Sequence, residues 1–221
     1  MPTPLDGLDL YRTHSLTLDQ ARHAVGGLLD DYLKALKPRN AADSERALAI
    51  RRQIEKRLRS LGGLAFARMN FSRYRTSSGV KSYVVWDVVD AKEAATRPDF
   101  KSWKARGKIL KELSDAAWDH PSRDIPWNAA AQAVDDPVVT NRSKALSVLL
   151  ALAQNVPPLR PAIARKIARF LPRLLRMREP GNRDLAYALT TILSGKLYPP
   201  DDIAHWRAWA DQTSEVARAN P

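Results

Sequence analysis

The sequence predicts a mainly α protein, α+β overall, in which an N-terminal two-helix plus β-hairpin module is followed by a short stack of helices. Three observations carry this. Apolar residues recur at helical spacing over most of the chain. The period changes to two between residues 66 and 90, where β-branched and aromatic side chains concentrate. From Lys101 onward the pattern is helical throughout. The expected division is an extended lead-in over 1–16, a small α/β module over 17–98 and helical repeats over 99–217.

The lead-in carries two prolines and no period. The first helix opens at Thr17, where Gln20 three residues on completes a capping box. Ala21, Val25, Leu28, Leu29, Tyr32, Leu33 and Leu36 make its inward stripe, and Pro38 ends it. Gly26-Gly27 weakens this helix by about 1 kcal/mol per glycine unless a neighbour packs close there. A second helix follows Asp43 or Ser44, with Ala47, Ile50, Ile54, Leu58 and Leu61 on one face and Arg52, Lys56 and Arg59 on another. Gly62-Gly63 stops it. FARMNFSRY (66–74) and KSYVVWDVVD (81–90) then read as the strands of a hairpin closed by RTSSGV. Two strands alone are marginal, so the helices or a further strand must cover them. A short helical or turn segment follows, and Arg97-Pro98 is the expected boundary.

Beyond it, Trp103, Ile109, Leu110, Leu113, Ala117 and Trp118 lie at helical spacing. Trp127 to Val134 makes a short helix with Pro126 presetting its start. Asp136-Pro137 opens another, filled by Val139, Leu146, Leu149, Leu150 and Leu152 or Ala153 and ended by Asn155, Pro157 and Pro158. Residues 161–177, PAIARKIARFLPRLLRM, sort Ile163, Ile167, Phe170, Leu171 and Leu174 onto one face and Arg165, Arg169, Arg173 and Arg176 onto the other. Pro172 inside that pattern predicts a bend. Asn182 is the expected cap of LAYALTTIL, Gly195 closes it, and Asp201 or Asp202 caps a last helix through Trp206 and Trp209.

DDPVVTNRSKALSVLLALA, with an aspartate-proline turn and then Val139, Arg142, Ala145, Leu149 and Leu152, resembles a HEAT-like repeat. NRDLAYALTTILSGKLYPPDDIAHWRAWAD is similar to the terminal repeat of bacterial HEAT-repeat proteins, with its Gly-Lys turn and two spaced tryptophans. KSYVVWDVVDAKE, followed by Arg97 and Phe100, resembles the small module that precedes such repeats in some of those proteins. The resemblance implies a HEAT-like α-solenoid and a recognition role, with no catalytic residue. In those proteins the module often follows an export signal. MPTPLDGLDLYRTH carries neither a basic n-region nor an apolar h-region, so the expectation is cytoplasmic as given, and exported or periplasmic if Met1 opens a trimmed mature form.

Composition bounds the chemistry. The chain has 221 residues, a net charge of +12 and no cysteine, which removes disulfides, thiolate nucleophiles and cysteine zinc sites. No apolar run is long enough to cross a membrane. His14, His23, His120 and His205 are scattered without HExxH spacing, so neither a metal nor another cofactor is expected. Nucleophile elbows and phosphate-cradling glycine loops are missing. Asp87 and Asp90 alternate with apolar residues and read as an outward, solvated strand face. The basic excess lies between Tyr32 and Glu179, thirty residues against fourteen acidic. Its densest part, with no acid between Arg160 and Arg178, makes Arg165, Lys166, Arg169, Arg173 and Arg176 the candidate binding residues, with Arg52, Lys56 and Arg59 as a second basic face. The leading expectation is a non-catalytic scaffold that binds an acidic protein partner. The alternative is nucleic-acid binding through an Arg165/Arg169/Arg173 row meeting phosphates, and behind it a HEAT-like DNA glycosylase.

Overall fold

The structure, a computed structural model, describes residues 4–36, 41–96 and 102–219. Contacts divide the chain into two compact units, Met1–Phe100 and Lys101–Pro221. The chain is mainly α with one small sheet in the first unit. The expected stop at Pro38, the Arg97-Pro98 boundary and Phe100 lie outside the described residues.

The first unit runs β1 (Gly7–Tyr11), α1 (Leu18–Ala35), α2 (Ala41–Ser60), β2 (Leu64–Thr76), β3 (Gly79–Asp90) and α3 (Ala91–Thr96). The capping box of α1 forms as expected: Thr17 Oγ1 accepts from the Gln20 amide at 3.2 Å and Gln20 Oε1 from the Thr17 amide at 2.9 Å. Ala21, Val25, Leu29, Tyr32 and Leu33 of α1 and Ile50, Ile54 and Leu58 of α2 form one core with Ala67, Met69, Val84, Trp86 and Val88 on one sheet face. Gly62 and Gly63 stop α2 at φ +88° and +73°, a conformation that favours glycine.

The expected lead-in over 1–16 contains a strand instead. Gly7–Tyr11 pairs parallel with β3, Leu8 beside Val84 and Leu10 beside Trp86, giving the order β1-β3-β2. Leu8 and Leu10 do alternate, but five residues are too few for a period of two to stand out, and only the open edge of β3 makes them a strand. The edge strand β2 is covered in part by α2: Glu55 Oε1 accepts the Met69 amide at 3.0 Å, and Arg59 donates to the Ala67 carbonyl at 3.2 Å. Asp87 and Asp90 are buried rather than solvated. Asp87 accepts from Asn70 at 2.5 Å, and Asp90 accepts from Thr13 Oγ1 at 2.6 Å, from the His14 amide at 2.8 Å and from Ser15 Oγ.

The second unit contains α4 (Trp103–Asp119), α5 (Asn128–Ala133), α6 (Val139–Asn155), α7 (Arg160–Ile167), α8 (Leu171–Leu175), α9 (Pro180–Ser194) and α10 (Ile203–Ala219). Helices α4, α6 and α9 pack in succession, while α5, α7, α8 and α10 pack beside them. The first row is tied at its helix starts by buried asparagines. Asn141 on α6 donates to the carbonyl of Trp103, the first residue of α4, at 2.8 Å. Asn182 on α9 donates to the carbonyl of Val139, the first residue of α6, at 3.5 Å. Arg142 is fully buried and donates to the carbonyls of Asp136 and Pro137 at 2.9 and 3.1 Å, while Asp136 Oδ1 accepts the Val138 amide at 2.8 Å and Oδ2 meets Arg106 at 2.6 Å. The aspartate-proline turn is thus held from both sides.

Two expectations are corrected in this unit. Glu179, not Asn182, caps α9, its carboxylate accepting the Gly181 and Asn182 amides at 3.0 and 2.9 Å; Asn182 sits inside the first turn. Residues 161–177 are not one bent helix. A 3-10 turn, Ala168–Phe170, separates α7 from α8, and Pro172 lies in the first turn of α8. The proline ring would meet the carbonyl four residues back and supplies no N–H, so the chain re-enters a helix where neither defect matters.

Candidate anion-binding cleft

The break between α7 and α8 decides where each basic residue goes. Arg165 remains exposed on α7. Lys166 turns to Asn128, donating to its Oδ1 at 2.6 Å, with its ammonium 5.2 Å from the centre of the Trp127 ring. Neither lines the cleft formed by the residues that follow. The expected row of four arginines is therefore divided, because the 3-10 turn changes the angular step that would have kept the side chains in line.

Arg169 on that turn, Arg173 on α8 and Arg176 at the α8 C-cap do come together, and they meet Arg207 of α10, which packs against both the turn and α8. With Pro172, Ala210 and Asp211 they line a cavity of about 360 Å³. Buried Leu171, Leu174 and Trp206 hold these helices from the inside, so the arginines occupy the exposed rim of a packed seam. Arg169 lies with its guanidinium carbon 4.6 Å from the centre of the Phe170 ring, a contact that orients it without neutralising it.

Charge in the cleft is poorly balanced. Arg173 reaches Asp135 at 3.5 Å, a long contact for a guanidinium fork. Arg169, Arg176 and Arg207 form no ion pair among the described residues. Asp211 follows Arg207 by four residues on α10 and forms no ion pair with it. Four guanidiniums and one carboxylate around a concave space sum to a local positive potential that the same arginines spread over a convex surface would not reach. Arg207 carried no sequence signal: it lies in a region where acidic residues slightly outnumber basic ones, and only packing brings it to Arg176.

The second basic face lies in the first unit. Arg52 and Lys56 are exposed on α2, while Arg59 is committed to the Ala67 carbonyl. Among the described residues no three histidine, cysteine or carboxylate side chains gather as a metal site, and no helix is long and apolar enough to cross a membrane. His205 meets Asp202 at 2.7 Å at the start of α10, where the aspartate also accepts the His205 amide at 3.4 Å, a helix-capping arrangement. No protein-family model, curated protein or solved structure matches the chain.

Proposed function

We propose that the second unit is a HEAT-like interaction module, non-catalytic, that holds an acidic macromolecular partner, with the cleft of Arg169, Arg173, Arg176 and Arg207 as its anion seat. The observation that carries this is the gathering of four arginines in one cavity, three of them without an ion-pair partner among the described residues. Support for the repeat reading comes from the successive packing of α4, α6 and α9 with an asparagine rung between each pair, and from the buried Arg142 on the Asp136-Pro137 turn. Repeats of this kind stack into extended surfaces that bind partners.

Charge-matched reversals test the proposal. R169E/R176E and R52E/K56E change the net charge equally, one in the cleft and one on α2. Fluorescence anisotropy with a labelled, glutamate-rich acidic peptide should show at least roughly tenfold weaker binding for the first variant and little change for the second. Equal loss in both would mean diffuse attraction to net charge and would remove the cleft as the seat.

A further inference from the structure

Resting on that reading, we infer that the group seated in the cleft is a phosphate monoester carried by a protein segment, a phosphoserine or phosphothreonine side chain. The first argument is valence. A carboxylate has one charge and two oxygens, and a single arginine fork satisfies both. The cleft offers four forks, with Arg169, Arg176 and Arg207 unpaired among the described residues and Arg173 only 3.5 Å from a carboxylate that a better acceptor can replace. A phosphate monoester carries roughly −1.5 to −2 charge and three terminal oxygens, enough to engage several forks together. All four cations are arginines, the residue whose planar fork matches phosphate oxygens, rather than lysines.

The second argument is shape. Nucleic acid presents a phosphate charge about every 1.7 Å along the duplex axis, and tracking it takes an extended row of cations. The 3-10 turn at Ala168–Phe170 removes that row: Arg165 and Lys166 do not line the cleft, and Lys166 is turned to Asn128 and the Trp127 ring. What remains is a compact cavity of about 360 Å³, suited to a terminal phosphate entering end-on. The third argument is Asp211, an acceptor-only carboxylate without an ion pair beside the arginines. Asp211 repels any anion seated beside it, and the deoxyribose-phosphate backbone of DNA carries no N–H or O–H donor to offset that repulsion. A peptide presents backbone N–H groups on either side of its phosphorylated residue, which Asp211 can accept.

The test uses the full chain and fluorescein-labelled degenerate peptide libraries with a fixed phosphoserine, serine or glutamate, alongside oligo-dT and oligo-U, at fixed ionic strength. The phosphoserine library should bind at least about tenfold more tightly than the glutamate library. R176A and R207A should each weaken phosphoserine binding by roughly tenfold, and R52A should leave it unchanged. R176K, which keeps the charge, should still weaken it several-fold because the fork is gone. Equal affinity for phosphoserine and glutamate would overturn the phosphate assignment and leave the anion seat standing. Binding of the oligonucleotides without the peptides would overturn it in favour of nucleic acid. Binding of no probe would overturn both this inference and the reading beneath it.

Discussion

Asp90, at the end of β3, shows how one side chain ties the first unit's N-terminal segment to its sheet. Burial alone would raise its carboxyl, but hydrogen bonds from Ser15, Thr13 and the His14 and Ser15 amides outweigh that and hold it below the ordinary carboxylate range. A carboxyl lowered on folding contributes stability in full above its unfolded value, about 4, and loses that contribution as pH falls through the lower folded value. Asp90→Asn, which cannot accept the same set of bonds, should lower stability at neutral pH by roughly 1–3 kcal/mol. In urea titrations the gap between the two proteins should stay constant down to about pH 4 and close below it. A gap independent of pH throughout the acid range would show that the charge of Asp90 is not what holds residues 13–15.

At the scale of an element, glycine has opposite meanings in α1 and α4. A Cβ on Gly107 would stand 2.7 Å from Asn141 Oδ1, the side chain that joins α6 to the Trp103 carbonyl, and Lys144 donates to the Gly107 carbonyl at 2.7 Å. The two helices approach closely because Gly107 has no side chain. Nothing lies within 4 Å of a Cβ built on Gly26 or Gly27. Gly107→Ala should therefore be destabilising by about 1 kcal/mol, the overpacking exceeding the gain in helix propensity. Gly26→Ala should stabilise by a similar amount. Denaturant midpoints of the two variants should move in opposite directions, and movement in the same direction would refute the close approach of α4 and α6. Sequence alone does not decide this at Gly26-Gly27, since spacing along one helix says nothing about its neighbours.

For the whole molecule the dominant long-range quantity is the net charge of +12. The partly buried ion pair of Arg106 with Asp136 is shielded from salt, whereas exposed pairs such as Lys111 with Asp115 contribute little at any salt. Self-repulsion among the excess cations is the term that salt can relieve. Raising ionic strength from about 0.02 M to about 0.5 M should thus raise the thermal midpoint by a few degrees. A fall would mean that surface ion pairs outweigh repulsion. Charge reversal in the cleft, as in R169E/R176E, should shrink this salt effect.

The sequence by itself determined the fold class, because that rests on periods that residues carry with them: the capping box at Thr17, the stop at Gly62-Gly63, the alternating strands, and the Gly195 cap at φ +67°. It also placed Arg169, Arg173 and Arg176 among the candidates, since an uninterrupted basic face is visible locally. Only the tertiary structure decided the rest. β1 exists because β3 has an edge for it, and Asp87 and Asp90 are buried because partners arrive from distant segments. Lys166 leaves the basic group for Asn128 and Arg59 for a β2 carbonyl, while Arg207 joins through the packing of α10. A helical pattern read as continuous assumes a constant turn per residue; one proline relaxed into a 3-10 turn breaks that constancy. It turned a predicted row into a cleft.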